Sequence, residues 1–207
     1  MNKQLNVAVL VSGGGTNLQA LIDAEKSGIL KSGKIKLVIS NTKGAYALTR
    51  AENNSIKTLT LDKKEFVSRE RFEEALISAL DINEIDIIVL AGFMSILSAN
   101  FVKKYDKRII NVHPSLIPSF CGVGFYGLKV HEKALEKGVK VTGATVHFVN
   151  EIADDGEIIM QKAVNVRKND TPESLQKRVM KLAEWKILPK ALEKVCYNLL
   201  KLKEISK

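Results

Sequence analysis

Short apolar runs and amphipathic stretches alternate along most of this chain, as strands and helices do when they follow one another. Val7-Ala8-Val9-Leu10-Val11 is an unbroken apolar run, the pattern of a strand buried on both faces. Thr16 is placed to cap the helix that follows, whose apolar stripe is Leu18, Leu21 and Ile22. Ile35–Ile39 reads as a second strand, residues 45–52 as a helix, and residues 56–59 as a short third strand. Phe72, Ala75, Leu76, Ala79 and Leu80 recur at helical spacing and predict an amphipathic helix. Residues 85–90 and 108–112 complete five strands, with Asn111-Val112-His113 closing the fifth and Pro114 stopping it.

Beyond Pro114 the rhythm changes. Residues 114–127 are rich in Pro, Ser and Gly and predict a long loop, a length usually reserved for function or mobility. A helix near residues 130–137 and two extended runs, 140–149 and 158–166, come next, with Asp154-Asp155-Gly156 as the turn between the runs. Thr171-Pro172-Glu173 supplies an N-cap, a proline at the first helical position and an acid in the first turn. That helix is predicted to carry Leu175, Val179, Leu182 and Ala183 inward and to kink or end at Pro189. The expected class is α/β, a single doubly wound, mostly parallel sheet flanked by helices, over one domain spanning 1–207.

Composition narrows the class of function only slightly. At 45% apolar and 27% charged the chain is ordinary globular material, with no run near the roughly 18 apolar residues of a membrane span. Residues 1–6 lead straight into the first strand and do not read as a signal peptide. Cys121 and Cys196 show no paired spacing, so free thiols in a reducing cytoplasm are the simplest account. The net charge of +9 admits an anionic small substrate, a nucleic acid or an anionic membrane. Aromatics are only 6% and do not interleave with the lysines, so no stacking platform for nucleic acid is visible.

Two stretches carry chemistry. Ser12-Gly13-Gly14-Gly15-Thr16-Asn17 joins a strand to a helix, where backbone amides converge on an anion at the positive helix end. Leu18 replaces the last glycine of a dinucleotide fingerprint, and the second strand ends in Ser40-Asn41 without the acid that holds a ribose hydroxyl. A single-phosphate pocket survives, beside the plainer reading of a tight glycine turn. At the end of the fifth strand, Asn111 and His113 project to one side, because alternate strand residues share a face. They form either a catalytic pair or a histidine satisfied locally beside a turn. Asp154 and Asp155 are either a solvated turn or a partner that raises the pKa of His113. The other two histidines, His131 opening a helix and His147 in mid-strand, read as structural, and the three lack metal-ligand spacing.

Ser12–Gln19, Leu90-Ala91-Gly92-Phe93-Met94 with Ile96-Leu97, Asn111-x-His113-Pro114-Ser115-Leu116-x-Pro118, and Gly143-x-Thr145-Val146-His147-Phe148-Val149 ending in Asp154-x-Gly156 resemble the glycinamide ribonucleotide formyltransferases. The likeness runs from Val7 to Pro189. It implies formyl transfer from 10-formyltetrahydrofolate, as co-substrate and without a metal, to the amine of glycinamide ribonucleotide. It further implies that Gly15, Thr16, Asn17 and Glu184 bind the phosphorylated substrate. Arg69, Met94, Ser95, Ile96, Leu97 and Asn111 would contact the folate, and Asn111, His113 and Asp154 would form the catalytic set. Residues 1–110 would then be the phosphate-binding half and 111–207 the catalytic and folate-binding half. Ala153 stands where the family has a larger aliphatic residue, and Ser95 where it often has arginine. The implied partners are two small molecules, with neither nucleic acid nor membrane, for a monomer or homodimer. Alternatives are another 10-formyltetrahydrofolate-using transferase or hydrolase, or a basic RNA-binding α/β protein.

Overall fold

The computed structural model describes residues 4–205, so Met1–Lys3, the first half of the stretch read as leading into strand one, lie outside the described residues. In chain order the elements are β1 (Leu5–Val11), α1 (Thr16–Lys26), β2 (Gly33–Ser40), α2 (Tyr46–Glu52), β3 (Lys57–Thr60), α3 (Arg69–Ile82), β4 (Ile87–Leu90), α4 (Ala99–Lys104), β5 (Ile109–His113), α5 (Leu128–Glu136), β6 (Val141–Phe148), β7 (Ile158–Asn165), α6 (Pro172–Val179) and α7 (Trp185–Ile205). The sheet order is β3-β2-β1-β4-β5-β6-β7. Strands β3 to β5 in that order are parallel, and β6 and β7 are antiparallel.

The side chains of β1 alternate between two apolar layers. Val7, Val9 and Val11 join a core with residues of α1, α6 and α7, whereas Ala8 and Leu10 face Phe72, Leu76 and Leu80 of α3 and Phe101 of α4. Covering helices on both faces explain why this strand carries no polar residue after Asn6. Strand order reverses between β1 and β4, and the crevice at such a switch point is where open α/β sheets bind ligands. Among the described residues, no helix is long and apolar enough to cross a membrane.

Three local expectations are corrected. Thr16 does not cap α1. Gly15 holds the cap position at φ 70° with no side-chain hydrogen bond, and Thr16 is the first helical residue. Leu182, expected inward, is 44% exposed, whereas Glu184 is only 6% exposed. A five-residue π-helical segment, Met180–Glu184, separates α6 from α7, and its wider turn shifts the phase of the stripe. Pro189 neither ends α7 nor lies at its edge; it is buried inside a helix that runs on to Ile205. Ile187, Leu188, Ala191, Leu192 and Val195 bury the same helix against the sheet, which offsets the roughly 3 kcal/mol that an interior proline costs. The Thr171 cap stands as expected, and Ser174 completes a reciprocal capping box. Helix α4 has no counterpart in the sequence reading, because six residues give too little periodicity to register.

Candidate active site

The loop after β1 and the end of β5 open at the same edge of the sheet, with β4 alone between their strands. At about 4.8 Å per strand, they stand about 10 Å apart. Gly15 is required twice over. Its φ of 70° is left-handed, and a Cβ there would lie 2.6 Å from the Ala47 Cβ of α2. Ala47 donates its backbone N–H to the Gly13 carbonyl at 3.0 Å, and Arg50 Nε donates to the Gly14 carbonyl at 2.8 Å. These contacts fix the loop from behind, while nothing lies within 4 Å of a Cβ on Gly13 or Gly14. The loop leads into the N-terminus of α1, the end of a helix that favours negative charge.

Ser12 extends this edge across the switch point. Its hydroxyl donates to Asn41 Oδ1 at 2.7 Å and accepts the Met94 backbone N–H at 2.8 Å. Asn41 Nδ2 donates to Ser95 Oγ at 2.9 Å. The position that lacks a ribose-binding acid therefore ties the loop to the segment after β4. Asn17 Nδ2 donates to Glu184 Oε2 at 2.7 Å, joining α1 to the π-helical segment, and Asn17 Oδ1 is buried without a partner. Burial raises the Glu184 pKa to about 7, against the lowering effect of the Asn17 amide. A cavity of about 480 Å³ between α1 and α7 is lined by Thr16, Arg50, Trp185 and Lys190, among others, and stands apart from Asn111 and His113.

The second cluster is assembled by register and by one turn. Pairing of β5 with β6 sets Asn111 opposite His147 and His113 opposite Thr145, so all four side chains share a face. The turn after β6 folds back over them. Gly156 permits this, because a Cβ there would lie 1.7 Å from the Phe148 carbonyl oxygen. Asp154 occupies the left-handed region at φ 58°, a conformation that Asp tolerates better than most residues. Its Oδ2 lies 3.4 Å from His113 Nδ1 and accepts the Gly122 backbone N–H at 2.9 Å. Its Oδ1 lies 3.6 Å from His147 Nε2 and 3.4 Å from Asn111 Nδ2. His147, expected to be structural, therefore belongs to the cluster, and a second contact joins its Nε2 to Asn111 Nδ2 at 3.2 Å. The signal for it was its place on β6, visible only once the register with Asn111 is known.

Electrostatics corrects one expectation. Asp154 was expected to raise the pKa of His113, but burial outweighs both Asp154 and the Phe120 carbonyl, and the pKa falls below the ordinary 6.5. Asp154 moves the other way from what burial alone dictates. The His147 hydrogen bond, the His113 charge and the Gly122 amide together hold its pKa below the usual carboxylate value. Asp154 is thus a carboxylate at neutral pH. His113 Nε2 is engaged by the Phe120 carbonyl at 2.8 Å, so the loop places an oxygen acceptor against the imidazole. His131 is buried with neither ring nitrogen bonded to a protein group, and burial, with His113 nearby, pushes its pKa down to about 4.

The remaining positions fall nearby with differing exposure. Met94 and Ile96 are exposed apolar side chains after β4, whereas Leu97 is buried in the core and offers only its backbone. Ser95 accepts from Asn41. Arg69 pairs with Glu73 at 3.1 Å, and Glu73 accepts the Ser98 backbone N–H at 2.7 Å, which links α3 to the start of α4, directly after residues 94–97. Cys121 and Cys196 are both free. Among the described residues, no group of three or more His, Cys, Asp or Glu is placed to hold a metal ion.

A glycine loop stands at the switch point, with an Asn/His/Asp cluster two strands away. The formyl transferase family matches residues 5–192, and the chain belongs to that family. Within it, the chain is 43% identical over 175 residues to the phosphoribosylglycinamide formyltransferase of Escherichia coli, covering 84% of this chain and 80% of that protein. It is 47% identical over 205 residues to the human trifunctional purine biosynthetic protein adenosine-3, covering 99% of this chain. The chain spans only 20% of the length of that trifunctional relative. The solved glycinamide ribonucleotide transformylase 1 of Symbiobacterium toebii superposes with a TM-score of 0.88 at 38% identity, over 94% of this chain and 89% of the other.

Proposed function

We propose that this chain transfers the formyl group of 10-formyltetrahydrofolate to the amine of glycinamide ribonucleotide. The observation that carries the reading is the return of Asp154 to within 3.4 Å of His113, with Asn111 on the same face, about 10 Å from the open glycine loop. That separation suits a substrate whose phosphate and reactive amine stand one ribose apart. The backbone amides at Gly15, Thr16 and Asn17 bind the phosphate, and Glu184 accepts from a ribose hydroxyl. The exposed Met94 and Ile96 suit an aromatic pterin face, and Arg69 its acidic tail.

The amine attacks the formyl carbon directly, and negative charge develops on the formyl oxygen. The Asn111 amide donates to that oxygen, and the His113 imidazole, held between Asp154 and the Phe120 carbonyl, stabilises its charge. A preorganised donor of this kind contributes on the order of 3 kcal/mol to the barrier. Asp154, already ionised, takes the proton from the attacking amine directly or through a water and passes it to N10 of the folate as the formyl carbon–N10 bond breaks and tetrahydrofolate leaves, and its charge stabilises the imidazolium once His113 is protonated. No enzyme nucleophile and no metal enters this scheme. The same reading places the chain in the cytoplasm, as a monomer or homodimer with two small-molecule partners, neither nucleic acid nor membrane.

A spectrophotometric assay with the two substrates tests it. Turnover is expected for the native chain, and His113→Ala and Asp154→Asn are each expected to lower kcat by at least about 100-fold with the fold retained. Absence of turnover in the native chain, or native turnover in either variant, refutes the reading.

A further inference from the structure

The catalytic imidazole is met by a loop carbonyl, and the anchor of that loop lies outside the catalytic set. Thr145 of β6 is fully buried, and its hydroxyl is saturated. It donates to the Ser115 carbonyl at 2.7 Å and accepts the Ile117 backbone N–H at 3.1 Å. Its remaining lone pair accepts from Gln161 Nε2 at 3.0 Å. Gln161 stands directly opposite on β7, the last strand of the sheet, and the same nitrogen also donates to the Ile117 carbonyl at 3.0 Å. Beyond this point, Ser115 Oγ donates to the Ser119 carbonyl at 2.5 Å, and the next residue is Phe120. Residues 115–119 are thus riveted to the sheet by two side chains. Immediately past the rivet, the Phe120 carbonyl meets His113 and the Gly122 N–H meets Asp154.

We propose that Gln161 is a positioning residue for His113. With Thr145, it braces residues 115–119 to β6 and β7 and so sets the Phe120 carbonyl against the imidazole. The brace needs two N–H donors from the Gln161 amide, since the Ile117 carbonyl can only accept and the Thr145 hydrogen is already spent on Ser115. Glutamate has the same shape but no donor when ionised, so Gln161→Glu sets a carboxylate against two acceptors. Gln161 is solvent-exposed, which spares the core. The proposal rests on the catalytic reading above for its relevance to turnover, but its structural content can be tested separately.

Two readouts do so without any reaction. Cys121, between Phe120 and Gly122, reports loop position by its rate of alkylation, with buried Cys196 as internal control. NMR titration of the His113 ring reports its contact with Phe120. The groups facing that ring are Asp154, His147 and His131, and none of them is altered. Gln161→Glu is expected to raise Cys121 reactivity severalfold, and Thr145→Val, which adds no charge near the ring, is expected to move the His113 titration to lower pH, since the carbonyl contact raises it. The melting transition is expected to stay close to native. In turnover, kcat/KM is expected to fall on the order of tenfold, the equivalent of a hydrogen bond or two. Thr145→Ser should behave as native, because it keeps the hydroxyl, and Thr145→Val should follow Gln161→Glu. Unchanged Cys121 reactivity in Gln161→Glu and unchanged His113 titration in Thr145→Val overturn the proposal, whatever the activity. If both shift while the native chain shows no formyl transfer, the brace stands and the assigned reaction falls instead.

Discussion

Glu184 makes the fold's stability depend on pH in a direction that can be worked out in advance. It is 6% exposed, and its side chain accepts from Asn17 Nδ2 at 2.7 Å. Burial raises its pKa from 4.5 to about 7 in the folded chain, whereas the unfolded chain titrates at the ordinary value. Below about pH 4.5 both states carry the proton, and Glu184 makes no difference to stability. Between about 4.5 and 7 the folded state alone keeps it, so stability falls as pH rises through that window. Above about 7 the loss is complete and amounts to about 3 kcal/mol, at roughly 1.4 kcal/mol for each pH unit separating the two titrations. Glu184→Gln removes the charge and still offers Asn17 an oxygen. Urea unfolding of both proteins at about pH 4.5 and about pH 8 isolates the effect, because all other titrating groups cancel in the comparison. The variant is expected to be close to native in stability at the lower pH and about 3 kcal/mol more stable at the higher. On the proposed function, the same variant should bind glycinamide ribonucleotide less well, as it loses the oxygen proposed to accept from the ribose. A stability difference equal at both pH values would refute the reasoning.

Gly15→Ala combines left-handed strain with a collision against Ala47, and is expected to destabilise by roughly 2–5 kcal/mol in urea unfolding, whereas Gly14→Ala should be near native in stability. His147→Ala removes a neighbour that lowers the pKa of both His113 and Asp154, so both titrations, followed by NMR, should move to higher pH. Leu182→Lys, at a position turned outward by the π-helical segment, should change stability by less than about 0.5 kcal/mol, whereas a core-facing leucine would lose several times that.

Much of the fold was legible because its signals are local. Val7–Val11 read as a two-sided strand from its own composition, and Thr171-Pro172 read as a helix start from backbone chemistry confined to one turn. Errors arose where a remote group intervened. Thr16 has the residue type of a cap, but contact with Ala47 puts Gly15 there instead. Leu182 has the spacing of a core position, but a π turn, which no residue type announces, rotates it outward. Pro189 reads as a kink or a stop, and the packing of α7 lets the helix run on past it.

The candidate site divides along the same line. Sequence alone determined which chemical groups are present and which of them share a strand face: a glycine loop before a helix, and Asn111 with His113 two residues apart. Tertiary structure alone decided what those groups do to one another. It brought Asp154 back over β5 through a turn that only Gly156 allows, and it added His147 by pairing β6 in register. It also reversed the expected shift of His113. A pKa balances nearby charge against lost water, and the amount of water lost is set by everything that folds around the group.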